Sequence, residues 1–393
     1  MNTWLLPDGI TESLPDDANK HEALRRQLIN LYATWGYRLV MPPLVEYLES
    51  LRAGMGTQLD LQTFKITDQS NGRTMGIRAD MTPQVARMDA HRISKGEVKA
   101  AVNRLCYIGT VLRTRSAQQG GSRSPIQVGA EIFGHAGVES DYEIISLMLE
   151  TLNSLNITDI ILDMGHVGVA NGVAEHVGLT DRQRSDYFDM LARKSIPEIK
   201  AWVSNENIEA TDSEMLMEIP LLNGSVDIIS AAQTKLKAAG GKVQEALAHL
   251  QQITKIVNAN FPELTLNIDL AEMRGYSYHT GITYAAYLPG EGNAIAHGGR
   301  YDGIGEAFGN SRPAIGFSAD LSDLVELFEH QATANNAILA PAKTNQKLSE
   351  LIRSLRSEGE VVIRELKGQT ENSSNVCNRK IEQLGDDWIV VSR

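Results

Sequence analysis

From Lys20 to Trp35, apolar residues recur at Leu24, Leu28, Leu31, Tyr32 and Trp35. This is the spacing of a helix that buries one face. Gly36 stands where a left-handed cap would end it. A strand-like run follows over residues 37 to 41 and stops at Pro42-Pro43. The period then shortens. TFKIT (63 to 67) and RTMGIR (73 to 78) flank the turn-rich DQSNG, while RLCYIGTVLRTR (104 to 115) and PIQVGAEIFG (125 to 134) flank SAQQGGSRS. Each pair predicts a hairpin, and two hairpins so close together predict an antiparallel sheet.

A helical pattern covers 140 to 155, and the apolar run ITDIILDMGH (157 to 166) predicts a buried strand. Residues from about 167 to 261 are rich in Ala, Leu, Glu, Gln and Lys with few strand formers, which predicts a helical insertion. Strand character returns at 264 to 270, 281 to 288 and 293 to 299, before a helix over 318 to 328. Residues 329 to 336 resemble a linker. Beyond it the pattern predicts a strand at 337 to 340, a helix over 343 to 357, a strand at 361 to 366, and a last helix and strand ending at WIVVS. That alternation predicts a small C-terminal α/β domain over 337–393.

Composition narrows the class. The 393 residues carry 42% hydrophobic side chains, enough for packed cores in two or three domains. With 37 Lys plus Arg against 49 Asp plus Glu, the net charge of -12 argues against a broad surface for nucleic acid or anionic membrane. Cys106 and Cys377 are far apart and form no CxxC pair, so the sequence predicts no disulfide framework and no cysteine zinc site. His135, His166 and His297 lack the spacing of a metal site. The amino terminus has no signal-peptide pattern and no segment has 18 uninterrupted apolar residues. The expected location is therefore the cytoplasm.

Positions 274 to 284 read RGYSYHTGITY, an arginine, two glycines, three tyrosines and a histidine in eleven residues. Alone, the stretch fits plain β-structure as well as the wall of a polar pocket. Five others accompany it: IRADMTPQVAR (77 to 87), VLRTR (111 to 115), QVGAEIFG (127 to 134), HGGRYDG (297 to 303) and AIGFSADLSDL (314 to 324). In this order the six resemble the catalytic core of class II aminoacyl-tRNA synthetases, and among these the histidyl-tRNA synthetases, over residues 1–330. The resemblance implies an α+β fold with an antiparallel sheet flanked by helices, and a self-dimer formed through the first helix, its strand and Pro42-Pro43.

It also implies an amino-acid pocket. Asp80 stands where those enzymes have Glu and, with Thr82, would bind an α-ammonium. Gln127 and Glu131, four apart on a strand, share one face of the sheet. Glu131 can accept from an imidazole N–H, and Gln127 can add an amide contact. Tyr278 resembles the tyrosine that holds the imidazole, and His279 replaces a second aromatic. Arg274 and Arg113 offer guanidinium forks to a carboxylate.

The nucleotide side departs from the synthetase pattern. Where the third class II motif has GLERL this chain has DLSDL, with Asp323 at the arginine position and Asp320 at the glycine. A negative group there repels a triphosphate. FRxE becomes LRTR, with Arg115 in place of the glutamate, and Ser277 replaces an acid. The chain thus resembles the ATP phosphoribosyltransferase regulatory subunits, paralogues of the synthetases. That resemblance implies no catalytic residues and no cofactor. It implies L-histidine as the allosteric ligand and a short-form catalytic ATP phosphoribosyltransferase subunit as the partner in a hetero-octamer. An active histidyl-tRNA synthetase and a histidine sensor with another partner stay open as alternatives.

Overall fold

Leu24, Leu28 and Tyr32 lie at four-residue intervals and are fully buried, and the stripe they form seats helix α1 (Pro15–Thr34) on the core. The helix begins one turn earlier than the apolar period, at Pro15, with Asp16 and Asp17 in the favourable field of its first turn. Gly36 ends it with φ of +81°. The computed structural model describes residues 4–52, 57–96, 101–116, 121–206, 208–273, 278–309, 311–328, 336–368 and 377–393. The chain divides into two units, Met1–Phe328 and Glu329–Arg393.

After α1 come β1 (Arg38–Leu39), β2 (Val45–Tyr47), α2 (Leu48–Arg52), α3 (Thr57–Gln62), β3 (Phe64–Thr67), β4 (Thr74–Ile77) and α4 (Thr82–Ser94). Next are β5 (Asn103–Thr110), β6 (Ile126–Phe133), α5 (Val138–Asn153) and β7 (Ile161–His166). The insertion supplies α6 (Val167–Val177), α7 (Asp181–Ala192), α8 (Ile196–Asn205), α9 (Ala210–Glu218), β8 (Asn223–Gly224), α10 (Ile228–Lys235) and α11 (Gly241–Asn260). The first unit closes with β9 (Thr265–Asp269), β10 (Ile282–Tyr287), β11 (Ala294–Arg300), β12 (Ala314–Asp320) and α12 (Leu321–Leu327).

The main sheet runs β1-β5-β6-β12-β11-β10-β7-β9-β8, antiparallel except at the pairs β1–β5 and β7–β9. Its strands alternate as a sheet buried on both sides must. Val128, Ala130 and Ile132 of β6 and Ile315, Phe317 and Ala319 of β12 join α1, α5 and the insertion in one hydrophobic core. On the other face Leu105, Tyr107, Phe133 and Tyr301 pack with Met81 and the α4 residues Val85 and Ala86. Each fully buried leucine of these cores contributes about 2 kcal/mol of transfer free energy.

The two expected hairpins do not share a sheet. β3 and β4 pair with β2 in a separate three-stranded sheet, and only the pair β5–β6 enters the large one. Gln84 of α4 links that small sheet to the chain before it, its amide donating to Pro43 O at 2.7 Å and Glu46 Oε1 at 3.0 Å.

The second unit contains β13 (Ala337–Ala340), α13 (Gln346–Ser357), β14 (Val362–Arg364), β15 (Cys377–Leu384) and β16 (Asp387–Ser392) in the order β14-β13-β15-β16. Leu348 and Ile352 of α13 pack on Ile338, Ala340, Val362, Ile381 and Trp388. The helix expected before the last strand is instead β15. Its residues CNRKIEQL suit a helix in isolation, but pairing with both β13 and β16 overrides that preference. Cys106 and Cys377 are free and buried. Among the described residues, no helix is long and apolar enough to cross a membrane.

Candidate functional site

A row of register partners crosses the sheet from Glu131 on β6 to Gly316 on β12, Gly299 on β11 and Thr283 on β10. The two neighbouring glycines leave a trough beside the carboxylate. A Cβ at position 316 would fall on the Glu131 carboxylate, and one at 299 would lie 2.8 Å from His279 Nε2. Asp80, Thr82, Tyr278, His279 and His297 complete the walls of a small cleft.

Glu131 is buried at the floor of this cleft. Tyr107 Oη donates to its Oε1 at 2.9 Å, and the Tyr301 hydroxyl donates to its Oε2. Thr82 Oγ1 lies 3.0 Å from Tyr107 Oη, which extends the chain to the first residue of α4. Burial pushes the Glu131 carboxyl up to about 8, while the hydroxyl donors pull in the other direction. The group is therefore poised to ionise when a further donor reaches it.

Asp80 and Gln127 orient each other. Gln127 Nε2 donates to Asp80 Oδ1 at 2.9 Å, and Gln127 Oε1 accepts the Met81 N–H at 2.8 Å. The same Asp80 oxygen accepts the Thr82 N–H at 2.9 Å. Gln127 thus stands behind Asp80 and lines an adjoining cavity rather than the cleft itself.

That second, larger cavity is bounded by Arg113, Ser116, Ser122, Asp320 and Asp323, and it shares His297 and Ser318 with the cleft. Arg113 donates from Nε to Ala79 O at 3.2 Å. Asp320 caps α12, accepting the Ser322 N–H at 2.9 Å, and also accepts the Ile126 N–H at 3.2 Å. Burial raises the Asp320 carboxyl above its ordinary range. Burial, with repulsion from Asp320 and Glu326, lifts Asp323 to about 6.

Of the residues singled out in the sequence, Asp80, Thr82, Glu131, Tyr278 and His279 meet in the cleft, while Arg113 and Gln127 line the space beside it. Arg274, with Tyr276 and Ser277, lies outside the described residues. Sequence reasoning missed Tyr107 and Tyr301, the two donors to Glu131. The available signal was strand alternation, which puts both on the cleft face opposite Cys106 and Arg300.

An antiparallel sheet backed by helices, with a small polar cleft over paired glycines, defines a protein of the class II aminoacyl-tRNA synthetase type. Residues 9–324 match the histidyl-tRNA synthetase family, and residues 335–391 match the ATP phosphoribosyltransferase subunit HisZ C-terminal domain. An ATP phosphoribosyltransferase regulatory subunit of Thioalkalivibrio sulfidiphilus is 50% identical over 96% of this chain and 95% of its own. One of Alkalilimnicola ehrlichii is 47% identical over 99% and 97%. A crystal structure described as an ATP phosphoribosyltransferase regulatory subunit/histidyl-tRNA synthetase from Bacillus halodurans superposes with a TM-score of 0.82 at 27% identity, covering 95% of both chains. The histidyl-tRNA synthetase of Nostoc sp. PCC 7120, with a TM-score of 0.77 at 17% identity over 100% of this chain and 97% of its own, shares the fold. The chain belongs to the family of ATP phosphoribosyltransferase regulatory subunits. The resemblance carried by the six motifs is borne out.

Proposed function

We propose that this chain is a non-catalytic, histidine-responsive subunit that activates a short catalytic ATP phosphoribosyltransferase at the first step of histidine biosynthesis and confers feedback inhibition on it. The observation that carries the reading is Glu131, buried between two tyrosine hydroxyls at the floor of a polar cleft that Asp80, Thr82, Tyr278 and His279 also line. A few polar groups converging on one small cleft are what fixes a ligand's orientation, and those here suit a single amino acid. The imidazole of histidine donates to Glu131 beside Tyr278 and His279. Asp80, held by Gln127, and Thr82 receive the ammonium group. Arg113, with Arg274, meets the carboxylate.

The neighbouring cavity supports the absence of a chemical step. Adenylation needs cations aimed at a triphosphate, and here the carboxylates of Asp320 and Asp323 line the space beside Arg113 and oppose a polyanion. Feedback then requires that histidine bind two conformations of the assembly with different affinity. The reading places a self-dimer of this chain with the catalytic partner in a cytoplasmic hetero-octamer.

The test is phosphoribosyl transfer to ATP by the same organism's short catalytic chain, with and without this protein and then with histidine. A rate that rises with this chain and falls with histidine supports the reading. A rate indifferent to both overturns it, and histidine-dependent pyrophosphate exchange would then assign a synthetase.

A further inference from the structure

The turn between α7 and α8 contains Lys194, a non-glycine residue held at φ of +51°. It closes α7 with Lys194 N–H to Leu191 O at 2.8 Å and Ser195 N–H to Met190 O at 3.1 Å, a cap that glycine ordinarily fills. A lysine in this conformation costs on the order of 1 kcal/mol and persists where its surroundings over-determine it. Here its ammonium pairs with Asp269, a buried carboxylate at the end of β9. Asp269 Oδ1 in turn accepts the Ala271 N–H at 3.0 Å, fixing the chain as it leaves β9.

A second tie reaches the beginning of β10. His249, on α11, places Nε2 2.8 Å from Oδ2 of the fully buried Asp141, off the line of a full hydrogen bond. The other Asp141 oxygen accepts Arg300 Nε at 3.0 Å and is also bonded by Nη2 of the same guanidinium. The remaining guanidinium donors reach His135 O, Ser140 Oγ and Asp302 Oδ1. Arg300 O accepts the Thr280 N–H at 2.8 Å, and Thr280 Oγ1 accepts the Asp302 N–H at 2.9 Å. On the other edge of His249, Nδ1 lies 3.4 Å from His166 Nε2. His166 caps α6, its Nδ1 accepting the Gly168 N–H at 3.1 Å, which leaves Nε2 to carry the proton. Burial pushes His166 down to about 4, so this ring stays neutral near pH 7. Val167 N–H donates to Gly281 O at 3.0 Å.

Both ties come from the helical insertion; the first ends at Ala271, on the chain leaving β9, and the second at Thr280, next to His279. The insertion also faces that chain directly, since Asn171, Arg184 and Phe188 share a groove with His279 and Thr280. His279 therefore borders the ligand cleft and the insertion at once.

We propose that Lys194 and His249 are positioning residues for the amino-acid cleft, and that through them the helical insertion reports whether the cleft is occupied. The inference rests on the histidine reading given above. Coupling of this kind is reciprocal: a ligand that steadies the 278–281 stretch steadies the insertion, and loosening the insertion weakens the ligand by the same factor. Histidine occupancy is thereby carried to the helices of the insertion.

The experiment uses the full-length chain and three variants, Lys194→Met, Lys194→Arg and His249→Ala. Histidine affinity is read by calorimetry, and amide hydrogen exchange is followed with and without histidine. In the wild type, histidine slows exchange in α7, α8 and α11 as well as in α4 and β6. Lys194→Met and His249→Ala weaken histidine about tenfold and lose the slowing in the insertion helices while keeping it in α4. Lys194→Arg restores both. Lys194 is half exposed but its loss leaves Asp269 buried without its cation, so thermal melts of all three variants first establish that each is folded, and Lys194→Arg, which keeps the charge, is the reference for affinity. Wild-type affinity in Lys194→Met, or histidine binding that leaves exchange in the insertion unchanged, overturns the inference and leaves the histidine reading standing. A wild-type chain that shows no binding overturns both.

Discussion

A carboxyl buried beneath a sheet is tolerated when donors surround it, and Glu131 has two tyrosine hydroxyls but remains pushed up to about 8 by its burial. Its ordinary value is 4.5. Between these values the folded protein keeps a proton that the unfolded chain has released. The stability from that difference is complete below about pH 4.5 and is lost as pH rises through about 8. Glu131→Gln removes the titration. Thermal melts of the ligand-free proteins at pH 5 and pH 8 are therefore expected to show a larger loss of Tm in the wild type than in the variant. Equal losses would mean that another group dominates this range. The same substitution is expected to weaken histidine by about 1–3 kcal/mol, because a buried ligand N–H loses a charged acceptor. Tyr301→Phe should produce a similar loss by removing one of the donors that fix the carboxylate.

The elements explain which parts of this site were legible in the sequence. Gln127 and Glu131 are spaced for one face of a strand, and β6 holds them so. Tyr107 and Tyr301 obey the same alternation but sit on β5 and just after β11, and no local pattern says that those strands converge on Glu131. The residues of β15 favour a helix, and only the partners on either side decide otherwise. The pairing of Lys194 with Asp269 joins residues 75 apart, a separation that carries no periodic signal. Gly316 tests how strictly the strand pairing shapes the trough. Gly316→Ala aims its Cβ at the Glu131 carboxylate and lies 2.8 Å from Ala130 O, so carboxylate and strand cannot both stay in place. Overpacking of this kind costs about 1–3 kcal/mol. The expected result is a lowered Tm together with a loss of histidine binding larger than that of Tyr301→Phe, read by calorimetry on the purified variant. Wild-type affinity would show that the carboxylate can move aside without consequence.

At the scale of the whole chain, every described residue assigned to the cleft, the adjoining cavity and the two ties lies in the unit Met1–Phe328. That unit has its own cores on both faces of its sheet, and the cluster of Ile338, Leu348, Ile352 and Trp388 belongs to the other unit alone. A folding unit with a complete core retains its sites when a neighbour is removed, because the contacts that orient its side chains are internal. A chain ending at Phe328 is therefore expected to unfold in one cooperative transition and to bind histidine within about twofold of the full-length affinity. Calorimetric titration of both proteins measures this. A loss of tenfold, about 1.4 kcal/mol, would mean that the first unit does not form the cleft by itself. Retained affinity combined with a failure to activate the catalytic chain would assign residues 329–393 to that partnership and separate sensing from activation within one polypeptide.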